Sequence, residues 1–152
     1  MTIRPLAAED VPALARALAG LPLLERYGRP RQRVEEDLAA ALARGDGLLV
    51  AEGPGGPAGL AWFLRGGTFG MGGYLRLIAV LGEAQRGGVG AALLAAFEAE
   101  VARESRHAFL LVSDFNEAAQ RFYERRGYAR AGTLPGLVLP DVAEVIYWKR
   151  LR

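Results

Sequence analysis

Apolar and polar positions along the 152 residues repeat with two distinct periods. In AAEDVPALARALA, residues 7–19, Val11, Leu14 and Leu18 fall on one helical face, which predicts an amphipathic helix. Gly20 and Pro22 break it, and RQRVEEDLAAALARG predicts a second helix ending at Gly45. GLLVAEG and GLAWFLR read as strands joined by a tight turn at PGGP, and a glycine-rich loop, GGTFGMGG, follows them. YLRLIAV has strong strand propensity. A further helix, running to about Glu104, carries Val89, Leu93, Leu94, Phe97 and Val101 at helical spacing. AFLLVS is the continuous apolar run of a buried strand. Asn116 is placed to cap a helix that runs through AAQRFYERR to Gly127, and YARAGTL and AEVIYWKRL complete the chain as two antiparallel strands. With a short strand near residues 2–4, the order β-α-α-β-β-β-α-β-α-β-β predicts a mixed α/β domain covering residues 1–152, without linker or repeat.

Composition narrows the chemistry. A chain of this length is expected to form one domain with a real core. It has no cysteine, so disulfides, zinc-thiolate sites and a cysteine nucleophile are unavailable. His107 is the only histidine and reads as a surface or capping residue; no His-rich metal site can be built. The net charge of +2 and the lack of a basic stripe argue against nucleic acid as a partner. No apolar run approaches the roughly 20 residues of a membrane span, and the start lacks a signal peptide's apolar core, so a cytoplasmic protein is expected. Eighteen arginines accompany a single lysine, Lys149, and Asn116 is the only asparagine; scarce thermolabile residues suit a heat-adapted source, although a GC-rich genome gives the same bias.

The stretch GEAQRGGVGAALLAAF, residues 82–97, sets Gly87, Gly88 and Gly90 at the entrance of a helix. Glycine costs about 1 kcal/mol relative to alanine inside a helix, so three of them point to a backbone that must turn or approach something closely. A bed of backbone N–H groups for an anion fits that need. It is not a Walker loop, because no lysine follows the glycines; nor is it a full dinucleotide fingerprint, because Leu93 stands where the third glycine belongs.

Gln85-Arg86-Gly87-Gly88-Val89-Gly90 resembles the pyrophosphate loop, [QR]-x-x-G-x-[GA], of the GNAT superfamily of N-acetyltransferases. A second segment, NEAAQRFYERRGY, is similar to that superfamily's N-x-x-A-x-x-[FL]-Y-x-x-x-G-[FY] pattern through Asn116, Ala119, Phe122, Tyr123, Gly127 and Tyr128. The two lie in the family's order. The resemblance implies a mostly antiparallel central sheet, splayed between its fourth and fifth strands and flanked by helices on both faces. It implies acetyl-CoA as co-substrate, held by Gln85, Arg86, Gly87, Gly88, Val89, Gly90 and Ala91. It also implies that the pantetheine arm pairs with the backbone at Ile78 and Val80, with the Ile78 N–H aimed at the thioester carbonyl. Tyr123 matches the family's general acid, and Asn116 a cofactor contact as well as a cap.

The acceptor is less legible. Tyr74-Leu75-Arg76 stands where the histone-acetylating branch of the family places a glutamate as base, and FLLVS where the ribosomal-protein branch carries a glutamate, which counts against both substrates. Glu144, Asp114 and Glu83 are the remaining carboxylates near the expected site; Glu144 is the candidate base, with a structural ion pair as its other reading, and water can relay the proton instead. Tyr27, Trp62, Phe69 and Arg76 are the candidate acceptor residues, with GGTFGMGG as a mobile wall. The expected reaction is direct acetyl transfer to a primary amine of a small molecule or peptide. The rival readings are a non-catalytic acyl-CoA-binding module and a nucleotide binder. Oligomeric state is left open, a homodimer included.

Overall fold

The computed structural model describes residues 1–82, 84 and 87–152. Its seven strands form one sheet in the order β1-β2-β3-β4-β5-β7-β6, made by β1 (Thr2–Pro5), β2 (Gly47–Gly53), β3 (Gly56–Thr68), β4 (Gly72–Val80), β5 (His107–Ser113), β6 (Ala129–Pro135) and β7 (Ala143–Arg150). The helices are α1 (Val11–Ala19), α2 (Pro22–Arg26), α3 (Arg31–Arg44), α4 (Val89–Ala102) and α5 (Glu117–Glu124), with a single 3-10 turn at Ala8–Asp10 before α1. β1 with β2, β2 with β3, β5 with β7 and β6 with β7 pair antiparallel, and β4 pairs with β5 in a parallel ladder that covers Gly73↔Ala108 to Leu75↔Leu110 before the sheet splays. No helix among the described residues is long and apolar enough to cross a membrane.

Two differences from the sequence reading have physical causes. Residues 21–30 hold a one-turn helix, started by Pro22 at its first position, where a missing N–H costs nothing. The glycine-rich GGTFGMGG is mostly strand: β3 runs on to Thr68, β4 restarts at Gly72, and only residues 69–71 turn. Gly66 takes a left-handed φ of +69° within β3, a kink that glycine accepts without Cβ strain, so the strand continues through it.

The chain divides into two compact units, Met1–Phe63 with Leu77–Phe97, and Leu64–Arg76 with Glu98–Arg152. In the first, the sheet is covered on both faces. Leu14, Leu18, Val34 and Leu38 of α1 and α3 pack on Leu48, Val50, Leu60, Trp62 and Ala79. On the other face, Val89 and Leu93 of α4 pack on Ala51 and Ala61. Gly59 permits that approach, because a Cβ there would lie 2.8 Å from the Ala79 carbonyl and 3.0 Å from Leu93. Phe97 meets Phe63 edge-on at 5.1 Å. In the second unit Leu75, Ala108, Leu110, Val112, Val145 and Tyr147 are buried, and the Tyr147 hydroxyl donates to Glu124 of α5 at 2.6 Å.

A charged cluster ties the N-terminus of the first unit. Arg4 donates to both oxygens of Asp10 at 2.8 and 3.0 Å and to Glu52 at 2.5 Å, while the Ala7 N–H donates to Asp10 at 2.8 Å. The Arg4 guanidinium, aided by the Ala7 N–H, holds the Asp10 carboxyl below its ordinary value against the opposing effect of desolvation. A carboxylate with a depressed folded-state pKa contributes stability above its unfolded value of about 3.9 and loses it as pH falls through the folded-state value. Denaturant midpoints measured from pH 7 down to pH 2 are therefore expected to fall more steeply for the parent chain than for Asp10→Asn, with the curves converging in acid. Parallel curves would show that the cluster adds nothing to acid sensitivity.

Candidate active site

In the first unit, strand β4 leads into the glycine-rich segment. Ile78 and Val80 pack on the Ala51, Ala61, Val89 and Leu93 cluster, while Leu77 and Ala79 belong to the α1/α3 side. Ala79 is buried, and Leu77, Ile78 and Val80 are half-buried with their side chains packed on the two clusters. Beyond β4, the Gly87 N–H donates to the Ala84 carbonyl at 3.1 Å, and the Gly88 carbonyl accepts from the Ala92 N–H at 3.1 Å. Gly88 is therefore the residue that opens α4. It has φ +75°, and a Cβ placed on it would meet nothing within 4 Å. Glycine is needed there for its left-handed backbone, and the space in front of it is open. The N–H groups of Val89, Gly90 and Ala91 in the first turn have no partner four residues back within the helix. Gln85 and Arg86, expected to hold phosphate, and Glu83 lie outside the described residues.

The second unit carries Tyr123 on α5. Asn116 opens this helix, its side-chain oxygen accepting from the Ala119 N–H at 3.2 Å, so the capping role is real. Gln120 braces the same turn by donating to the carbonyls of Ser113 and Asp114 at 3.3 and 3.1 Å. Asp114 accepts from the Ala143 N–H at 3.1 Å and so serves as a loop tie rather than as a free carboxylate. The Tyr123 ring is half-buried and edge-on to Phe122 at 5.1 Å and to Tyr128 at 5.7 Å. Its hydroxyl has no hydrogen-bond partner among the described residues and is not a sealed, orphaned atom. Burial pushes its pKa well above the ordinary tyrosine value. It is a protonated phenol whose donor is unspent among the described residues.

The remaining candidates separate. By register, Tyr74 faces the same way as Phe109, and Ser113 the same way as Glu144. Glu144 is buried on β7, 6% exposed, and accepts from the Ser113 hydroxyl at 3.4 Å. Burial raises the Tyr74 phenol, with the Glu144 charge adding to that and Arg76 opposing it, so Tyr74, Arg76 and Glu144 share one electrostatic neighbourhood. Arg76 itself is exposed on β4. Phe69, 86% exposed at φ +56°, sits in the residue 69–71 turn with its ring edge-on to Phe109 at 6.2 Å. Trp62 is a core residue, 5% exposed, its indole N–H donating to Asp46 at 3.0 Å. The run LAWF signals this, since unbroken apolar sequence means both strand faces are covered. Tyr27 is half-buried at the end of α2 in the first unit, its N–H donating to the Leu23 carbonyl at 3.1 Å. His107 accepts from the Trp148 indole at 3.0 Å, a structural contact. Ser113 escaped the sequence reading, because a lone serine ending an apolar run carries no pattern.

Comparison with known proteins gives the family and the fold. The sequence model of the acetyltransferase (GNAT) family matches residues 14–128, which include both the Gly88 turn and Tyr123. No curated protein sequence matches significantly. Among solved structures, a GNAT-family acetyltransferase from Bacillus cereus is similar at TM-score 0.80 and 15% identity, covering 98% of this chain and 96% of that one. An aminoglycoside 6'-N-acetyltransferase complexed with coenzyme A is similar at TM-score 0.79 and 19% identity, covering 100% and 98%. A ribosomal-protein-alanine N-acetyltransferase from Brucella melitensis is similar at TM-score 0.75 and 19% identity, covering 99% of both chains. The splayed sheet, the glycine-opened helix and the family match converge: this chain belongs to the GNAT family of acetyltransferases, whose co-substrate is acetyl-CoA.

Proposed function

We propose that the chain acts as a single N-acetyltransferase domain that moves an acetyl group from acetyl-CoA directly to a primary amine. The observation that carries the proposal is the start of α4, where Gly88 turns left-handed with nothing within 4 Å of where its Cβ would sit. That donor set fits a pyrophosphate, because fixed N–H dipoles and the positive end of a 14-residue helix both favour an anion. Gly88, Val89, Gly90 and Ala91 supply backbone donors and Gly87, whose N–H is spent on the Ala84 carbonyl, shapes the turn, with Gln85 and Arg86 adding side chains. The backbone of Ile78 and Val80 holds the pantetheine arm, and the Ile78 N–H polarises the thioester carbonyl. Asn116 keeps its side-chain N–H donors for the cofactor, since its cap uses the oxygen.

Bound acetyl-CoA supplies an acetyl group already activated as a thioester. With no cysteine to carry that group, the amine must attack it without a covalent relay through sulfur. Tyr123 donates its phenolic proton toward the departing sulfur. Glu144, the one buried carboxylate among the described residues, takes the proton from the amine. Arg76, Phe69 and Tyr27 contact the acceptor, and Trp62 contributes only by anchoring β3. The names of two similar structures as N-acetyltransferases support nitrogen as the acceptor.

Thermal unfolding with free CoA and with acetyl-CoA tests the reading. A ligand present at a hundred times its Kd and binding only the folded state adds about 2.7 kcal/mol, so the midpoint is expected to rise with both. No shift and no calorimetric heat with either ligand would remove the cofactor and with it the enzyme.

A further inference from the structure

Nothing in the family pattern accounts for the chain's only lysine. Lys149, on β7, donates to both oxygens of Glu98 on α4 at 3.0 and 3.2 Å. Glu98 in turn accepts from the Tyr128 hydroxyl at 2.9 Å. The ammonium also lies 5.6 Å from the centre of the Tyr128 ring. Tyr128 is 3% exposed, and its N–H donates to the Tyr123 carbonyl at 3.1 Å. Gly127, at φ +92°, makes the turn that brings Tyr128 back beneath α5, and the Lys149 stem lies within 3.5 Å of where a Gly127 Cβ would be.

This arrangement matters because no described residue holds Tyr123 by its hydroxyl. Ring contacts therefore set where that hydroxyl points. Phe122 is its neighbour on the same helix, with the Arg126 guanidinium 3.9 Å over its ring, and so moves with α5. Tyr128 is the contact tied to other elements, through Glu98 to α4 and Lys149 to β7. An aromatic pair contributes only about 0.5–1.5 kcal/mol beyond its burial, so an untethered partner would leave the Tyr123 rotamer loosely held. A hydrogen bond to a charged group, made where water is largely excluded, is stronger than a neutral one and fixes the ring it terminates.

We propose that Tyr128, tethered by the Glu98–Lys149 pair, is a positioning residue that aims the Tyr123 hydroxyl at the sulfur of the cofactor. The inference rests on Tyr123 being the proton donor. Its consequence is direct: loosening Tyr128 should weaken the hydrogen bond from Tyr123 to a bound thiolate even though Tyr123 is intact.

The thiol of bound free CoA reads this without any amine acceptor. Because the chain has no cysteine, every thiolate observed in the complex belongs to CoA. The pKa of bound CoA is measured from the pH dependence of its alkylation by iodoacetamide, at saturating protein. Tyr123→Phe is expected to raise that pKa by about one to two units, the value of one lost charge-assisted hydrogen bond. Tyr128→Phe, which keeps the ring and the Glu98–Lys149 pair, is expected to raise it by at least half as much, and to add nothing in the Tyr123→Phe background. Lys149→Met, which loosens Glu98, is expected to act in the same direction. If Tyr128→Phe leaves the thiol at its parent value while Tyr123→Phe raises it, the positioning role is wrong and the Tyr123 reading stands. If Tyr123→Phe also has no effect, both fall. A Tyr128→Phe effect that persists undiminished in the Tyr123→Phe background also overturns the inference, since it would then act by another route.

Discussion

Tyr123→Phe is expected to slow acetyl transfer by about a hundredfold to ten-thousandfold while leaving CoA affinity nearly unchanged. The substitution removes one oxygen and keeps the edge-on contacts with Phe122 and Tyr128, so α5 should be undisturbed. The physical state of the phenol narrows the range. Burial raises its pKa well above the ordinary value of about 10, whereas a thiol ionises near 8.5. Full transfer of the proton to sulfur is uphill across that gap. The contribution is then a hydrogen bond that strengthens as charge develops, which places the effect toward the hundredfold end. For the same reason the turnover–pH profile should show no falling limb from Tyr123 below about pH 10. The sign follows from burial: a phenol harder to ionise stays a donor further into base. Steady-state rates with an amine found by screening, set beside CoA titration calorimetry, decide the matter. Equal rates for the parent and the variant would remove Tyr123 as the acid, and CoA binding without turnover on any amine would favour the non-catalytic acyl-CoA-binding module.

The second large effect concerns stability. Phe97→Ala is expected to destabilise the fold by about 3–5 kcal/mol, at the upper range for core truncations. Phe97 is fully buried on α4 and meets the ring of Phe63 edge-on. Phe63 in turn lies directly over Gly47, where a Cβ would come within 2.2 Å of its ring. With one aromatic wedged onto backbone and the other removed, little can collapse into the space, and an unfilled cavity carries its full cost. Phe97→Leu should cost much less, because most of the volume remains. Urea unfolding with the m-value held equal measures both. A loss below about 1 kcal/mol for the alanine variant would mean that the first unit repacks freely, contrary to the wedge.

These effects come from residues with different legibility in the sequence. Phe97 and Val89 show their inward side through helical spacing alone, and period three to four has only one reading over 14 residues. The glycine run beside Val89 is legible because glycine at a helix entrance contradicts local propensity, and such a contradiction usually marks a site. Tyr123 was found through a resemblance rather than through chemistry, since a tyrosine on an amphipathic helix is ordinarily packing. The Glu98–Tyr128–Lys149 tether is invisible in the sequence: its members are 21 to 51 residues apart and lie in α4, in the turn between α5 and β6, and in β7, with no shared period.

The sequence by itself determined the element order apart from the one-turn α2, the glycine opening of α4, the Asn116 cap and the absence of cysteine chemistry, because each depends on residues within one turn or one strand of each other. Only the tertiary structure decided that Trp62 faces the core, that Gly66 and Gly67 continue β3 rather than loop out, that Asp114 is a loop tie, and that Glu144 is buried beside Ser113. Each of those outcomes depends on which strand lies alongside and which face a helix covers. Burial and register are set by partners distant in the chain, and no local pattern carries them.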